Sequence, residues 1–149
     1  MQTVTVTDTQ GPVITVNNAA VTLWPPNHQY VNFNLSQFVT GASDNCDSGV
    51  DASDVVIVSV TSDELEDNPS GGDGNTLNDI VIAANCKSVQ LRAERDGNLN
   101  GRVYTITFAV VDTAGNVGTA TVKVTVPKTQ NGAGAVDDGP KYTVNGTCP

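Results

Sequence analysis

Apolar and polar residues take turns along most of this chain. A period of two is the pattern of strands that turn one face to a core. Val4 and Val6 alternate with threonines, and after a break at Asp8-Thr-Gln-Gly-Pro12 come Val13-Ile-Thr-Val16 and Val21-Thr-Leu-Trp24. Val31, Phe33 and Leu35 alternate with asparagines, as do Val89, Leu91 and Ala93 with Gln90, Arg92 and Glu94. Tyr104, Ile106, Phe108 and Val110 form another such row, and Ala120, Val122, Val124 and Val126 the last. Val55–Val60 is nearly all apolar, which predicts a strand buried on both faces, and Ile80–Ala84 is a short strand. No window carries a helical i, i+3, i+4, i+7 stripe longer than two turns. About seven to nine strands separated by Gly, Asn and Asp turns predict an all-β, immunoglobulin-like antiparallel β-sandwich.

The rows of strands run from residue 8 to 127, and 149 residues suffice for one domain with a real core. Residues 1–7 read as an end strand or linker from a preceding module. Residues 128–149 contain Gln130-Asn-Gly-Ala-Gly-Ala135, a Gly-rich linker or tail, with Lys141-Tyr-Thr-Val144 as a possible stub of strand. The opening segment has neither the charged nor the apolar region of a leader peptide, so the chain reads as a piece of a longer secreted protein.

Charge is unevenly spread. The formal net charge is −9, and residues 1–86 hold no Lys or Arg, whereas ten of the sixteen acidic residues lie between Asp44 and Asp79. Such a chain repels phosphate backbones, which argues against nucleic acid as a partner. No apolar run reaches the length of a membrane span. The carboxylates either keep the protein soluble or converge on a hard cation, and Ca²⁺ suits flexible loops rich in oxygen ligands.

Alternating strand direction sorts the loops into two poles. The entry to the first strand, the 36–54 connection and the 112–116 turn share pole 1, which gathers Asp8, Asp44, Asp47, Asp112 and Asn116 as one candidate Ca²⁺ site. The 24–29, 62–79 and 94–101 connections share pole 2, which gathers Asp63, Glu64, Asp67, Asp73, Asp79 and Glu94 as a second. A plain alternative exists at each. Asp112-Thr-Ala-Gly-Asn116 is also a good hairpin turn, and Arg92, Arg95 and Arg102 could neutralise the acids of pole 2.

Three cysteines in a Thr/Ser/Asn-rich β chain fit an oxidising exterior, and a Cys46–Cys86 disulfide is the expected pair, with Cys148 left over. Trp24 is the sole Trp; it either plugs an end of the core or, with Tyr30 or Tyr104, forms a platform for a sugar ring. His28 is the only His, and nothing matches G-x-S-x-G or H-E-x-x-H, so the reading is not that of an enzyme.

Asp8-Thr-Gln-Gly-Pro-Val-Ile14, Ser43-Asp-Asn-Cys-Asp47 and Val110-Val-Asp-Thr-Ala-Gly-Asn116 resemble the immunoglobulin-like repeats of bacterial secreted and surface proteins, closest to the hyalin-repeat type. That resemblance covers roughly residues 8–127. It implies an extracellular module that occurs in tandem, serves adhesion or accessory binding, and in related repeats holds Ca²⁺ at module boundaries. The expected function is therefore a calcium-stabilised spacer or adhesion repeat, whose partners are neighbouring modules of the same chain, polysaccharide or another surface protein. The alternatives are an accessory carbohydrate-binding module of a secreted hydrolase and a subunit that self-assembles by strand addition through Val4 and Val6.

Overall fold

The computed structural model describes residues 2–67, 69, 71–130 and 134–148. Among these it contains ten strands: β1 (Val13–Val16), β2 (Val21–Thr22), β3 (Tyr30–Asn34), β4 (Val39–Ser43), β5 (Val56–Ser62), β6 (Ile80–Ile82), β7 (Ser88–Arg92), β8 (Arg102–Val111), β9 (Val117–Val126) and β10 (Tyr142–Asn145). One layer has the order β10-β5-β8-β9-β2, with β2 parallel to β9 and the other neighbours antiparallel. The other has β3-β7-β6, extended by the antiparallel pair β1-β4. A one-turn 3₁₀ helix at Leu35–Gln37 separates β3 from β4, so the two act as a single bent strand. Seven-strand immunoglobulin-like topology follows, the first strand divided between layers, with β10 added to the free edge of β5.

The predicted alternation builds the core. Tyr104, Ile106 and Phe108 of β8 are fully buried, and they meet Val89 and Leu91 of β7 and Val124 and Val126 of β9. Phe33, Phe38 and Phe108 form a chain of tilted rings with centroids 5.5 and 6.2 Å apart, joining the two layers. The Val55–Val60 run is not buried on both faces, as its composition predicted. Val55, Ile57 and Val60 are buried, Val58 is exposed, and the register slips between Ile57 and Ser59. A bulge there lets apolar residues on both sides of it face one core.

Three other expectations need correction. The disulfide joins Cys86 to Cys148, and Cys46 is a free, exposed thiol, so the Cys46–Cys86 pair does not form. The stub of strand in the tail is a full strand, because Tyr142–Asn145 pair with Ser59–Ser62 and put Tyr142 and Val144 against the core, whereas residues 131–133 of the Gly-rich stretch lie outside the described residues. Gly146 then runs so close to β5 that a Cβ there would lie 2.6 Å from the Ile57 carbonyl and 3.0 Å from Cys86 Sγ. Finally, residues 2–12 form no strand, and Val4 and Val6 are more than 80% exposed.

Candidate functional site

Both poles assemble from the loops that strand direction assigned to them, and they differ in how their charge is met. At pole 1 the β8–β9 hairpin turns through Asp112–Asn116. Gly115 at φ 90° takes the left-handed conformation the turn requires, and Asn116 donates to both Asp112 carboxylate oxygens through its amide groups (2.8 and 3.0 Å). The Asn116 side chain also donates to the Asp8 carbonyl at 3.0 Å, tying the turn to the entry segment. Asp47 accepts from the Thr113 N–H at 3.0 Å, and Asp44 accepts from the Cys46 and Asp47 N–H groups at 2.8 Å each. Hydrogen bonds thus link Asn116 to Asp8 and Asp112, and Asp47 to Asp44 and to the same turn.

Carboxylates at this pole also meet one another: ligand atoms of Asp8, Asp44 and Cys46 lie within 4.8 Å of one another, and Asp112 is near enough to act on the Asp8 carboxyl. The Gln10 amide pulls the Asp8 carboxyl down, but desolvation and the Asp112 and Asp44 carboxylates outweigh it and raise its pKa. Asp112 moves the other way: desolvation pushes it up, and the Asn116 amides and Asp8 hold it below the usual range. Desolvation and the same three aspartates push the Cys46 thiol up, so it is a poor nucleophile at neutral pH. Among the described residues, no Lys, Arg or His ion-pairs with these acids.

Pole 2 contains its own cations. Arg102 opens β8 on the inward row of Tyr104, Ile106 and Phe108 and is fully buried. It donates to Asp79 at 2.5 Å, to the Tyr104 hydroxyl at 3.0 Å, to the Leu65 carbonyl at 2.9 Å and to Glu64 at 3.4 Å. Arg92 donates to the other Asp79 oxygen at 3.1 Å and lies 4.2 Å over the Tyr30 ring, whose hydroxyl it also reaches. Glu94 accepts from the Thr76 hydroxyl and lies 3.0 Å from His28 Nδ1. Asp63 accepts from the Val103 N–H at 2.7 Å and the Asp138 N–H at 3.2 Å.

Asp63, Glu64, Asp73, Asp79 and Glu94 are buried as a group, whereas Asp67 is exposed and stands outside it. Asp96, buried beside them, was missed; its N–H donates to Glu64 at 2.8 Å. Burial raises the pKa of Asp63, Glu64, Asp79 and Glu94 despite their donors. Burial pulls the Arg102 guanidinium the other way, but Tyr104 and Asp79 more than offset it and keep it charged. One oxygen each of Glu64 and Glu94 is buried without a hydrogen-bond partner.

The three platform candidates part company. Tyr104 is fully buried, because its row faces the core, and so cannot touch a ligand; burial also raises its pKa. Trp24 and Tyr30 are 37% and 38% exposed and line one crevice.

Comparison with family models, curated proteins and solved structures found no match. Among the described residues no helix is long and apolar enough to cross a membrane. The class that the coordinates define is an all-β, antiparallel sandwich with one disulfide.

Proposed function

We propose that this chain is a non-catalytic, calcium-stabilised extracellular module of the hyalin-repeat kind, acting as a spacer or adhesion repeat within a larger secreted or surface protein. The observation that carries the reading is the approach of the Asp8 and Asp44 ligand atoms to within 4.8 Å, with Asp112 nearby and, among the described residues, no basic side chain ion-paired to any of the three. Like charges held this close favour a proton or a cation between them, and oxygen-rich loops suit Ca²⁺. Held there, the ion would fix the entry segment to the 112–116 turn and stiffen the joint with whatever precedes residue 8. Pole 2 does not need it in the same way, since Arg102 and Arg92 supply counter-charge from within. The Cys86–Cys148 bond supports an oxidising compartment.

A thermal melt in Ca²⁺ and in chelator tests the reading. An ion at a hundredfold excess over its Kd adds about 2.7 kcal/mol, so the transition should move up with Ca²⁺ and return with chelator. Superimposable melts would refute calcium binding and leave the acids of pole 1 a solubility role.

A further inference from the structure

We propose that the crevice between Trp24 and Tyr30 is a binding site for a neutral saccharide, a reading independent of calcium at pole 1. Of the chain's seven aromatic residues (one Trp, three Tyr, three Phe), Trp24 and Tyr30 alone are more than a third exposed. Both line the same opening, of about 400 Å³. That volume lies within the roughly 300–1,000 Å³ of small-ligand sites. Two half-exposed rings scattered over a surface need no explanation, but two in one crevice leave a large apolar area unburied where a flat ligand fits.

The crevice forms because the first strand leaves its own layer. β1 pairs with β4, and β2 then crosses to β9, so the edge of β3 that carries Tyr30 has no strand beside it. Buried Leu23 donates its N–H to the Thr125 carbonyl at 2.8 Å, and strand alternation then turns Trp24 outward. Tyr30 is held in place from behind: its hydroxyl donates to the Asn78 carbonyl at 2.5 Å, and Arg92 covers one face of the ring. Arg92 is in turn fixed by Asp79, so the buried charges of pole 2 set the orientation of this wall.

The chemistry of the lining selects the ligand. Thr22, Asn27 and Gln29 contribute exposed hydroxyl and amide groups, and no charged side chain lines the crevice. Aromatic faces with neutral donors and acceptors match a pyranose ring, which offers C–H groups on one face and hydroxyls at its rim. A net charge of −9 turns away acidic polysaccharides and favours a neutral one.

The test uses the full chain. In native gels containing a mixed-linkage β-glucan, xylan, galactomannan or amylose, at least one polymer should retard it. Trp24 is the sole Trp, so its fluorescence reports on this site alone: the matching oligosaccharide should shift its emission to the blue and shield it from acrylamide. Trp24→Ala should weaken retardation at least about tenfold, equivalent to about 1.4 kcal/mol. Gln29→Ala, which alters only an exposed side chain, should weaken it about threefold and covers the case in which Trp24→Ala fails to fold. The proposal is overturned if no polymer retards the chain and its emission is unmoved. It is also overturned if folded Trp24→Ala is retarded like the parent, or if a proline-rich peptide shifts Trp24 emission where none of the saccharides does.

Discussion

The two poles begin from similar material, loops rich in aspartate and glutamate, and arrive at opposite electrostatic arrangements. Pole 2 buries its carboxylates and pairs two of them, Asp79 and Glu64, with a guanidinium that grows from the core strand itself. Pole 1 keeps most of its acids near solvent, holds them with backbone N–H groups and Asn116, and leaves the Asp8 and Asp44 carboxylates within 4.8 Å of each other. Burial decides the difference. A charge removed from water demands a paired partner inside the protein, whereas a charge at the surface can wait for one from solution. An acid-rich loop is therefore evidence for a metal only where the fold has not already provided a cation.

The contrast can be broken most severely at Arg102. Arg102→Met strands Asp79 and Glu64 without their main partner and should cost at least about 3–5 kcal/mol, read by urea unfolding; a loss under 1 kcal/mol would mean that the pole-2 pairs are not what holds the loop. Cys148→Ser frees β10 from β5 and relaxes a loop of 62 residues. About 4 kcal/mol is expected from the chain-entropy relation, with hydrogen exchange rising in β10 before pole 1. Asp112→Asn should erase the calcium-dependent rise in melting temperature, a loss of about 2.7 kcal/mol of linkage at a hundredfold excess over Kd, and should cost about 1 kcal/mol in the metal-free melt through the lost Asn116 hydrogen bond.

A smaller effect distinguishes the poles by acid. The raised carboxyls of Asp63, Glu64, Asp79 and Glu94 bind protons more readily in the folded chain, so they subtract stability as pH climbs from the ordinary carboxylate range through their raised values. Asp47 and Asp112 lie below that range, and their contribution, present above it, is lost as pH falls through their depressed values. Without calcium the melting temperature should therefore be higher at pH 5 than at pH 8, and Glu94→Gln should flatten that trend. Least of all should Cys46→Ser matter, within about 0.5 kcal/mol, in melts with or without calcium.

Much of the architecture could be read from alternation, since strands β1 to β3 and β5 to β9 coincide with apolar rows, and strand direction alone brought Asp8 to Asp112. What escaped has physical causes. β4, with Gly41 and Ser43, lacks an apolar row and is a strand only because it continues β3 beside β1. β10 shows in the sequence only as a stub at Lys141–Val144, because it has four residues and depends on an edge contributed from far upstream. Three cysteines allow several pairings, and only the fold says which approach. Parity with Ile106 and Phe108 places Arg102 and Tyr104 inward, which makes one an internal counter-ion and removes the other from any ligand platform.

The Cys86–Cys148 bond also decides how the module would bear tension. A pull delivered at Cys148 passes through sulfur to Cys86, and the chain between them, a sequence separation of 62, cannot be drawn out. Strands β7 to β10 are shielded, and force applied between Asp8 and Cys148 can extend only the chain from Asp8 to Cys86. At about 3.3–3.6 Å per residue that is a length gain on the order of 250 Å, after which the tether locks.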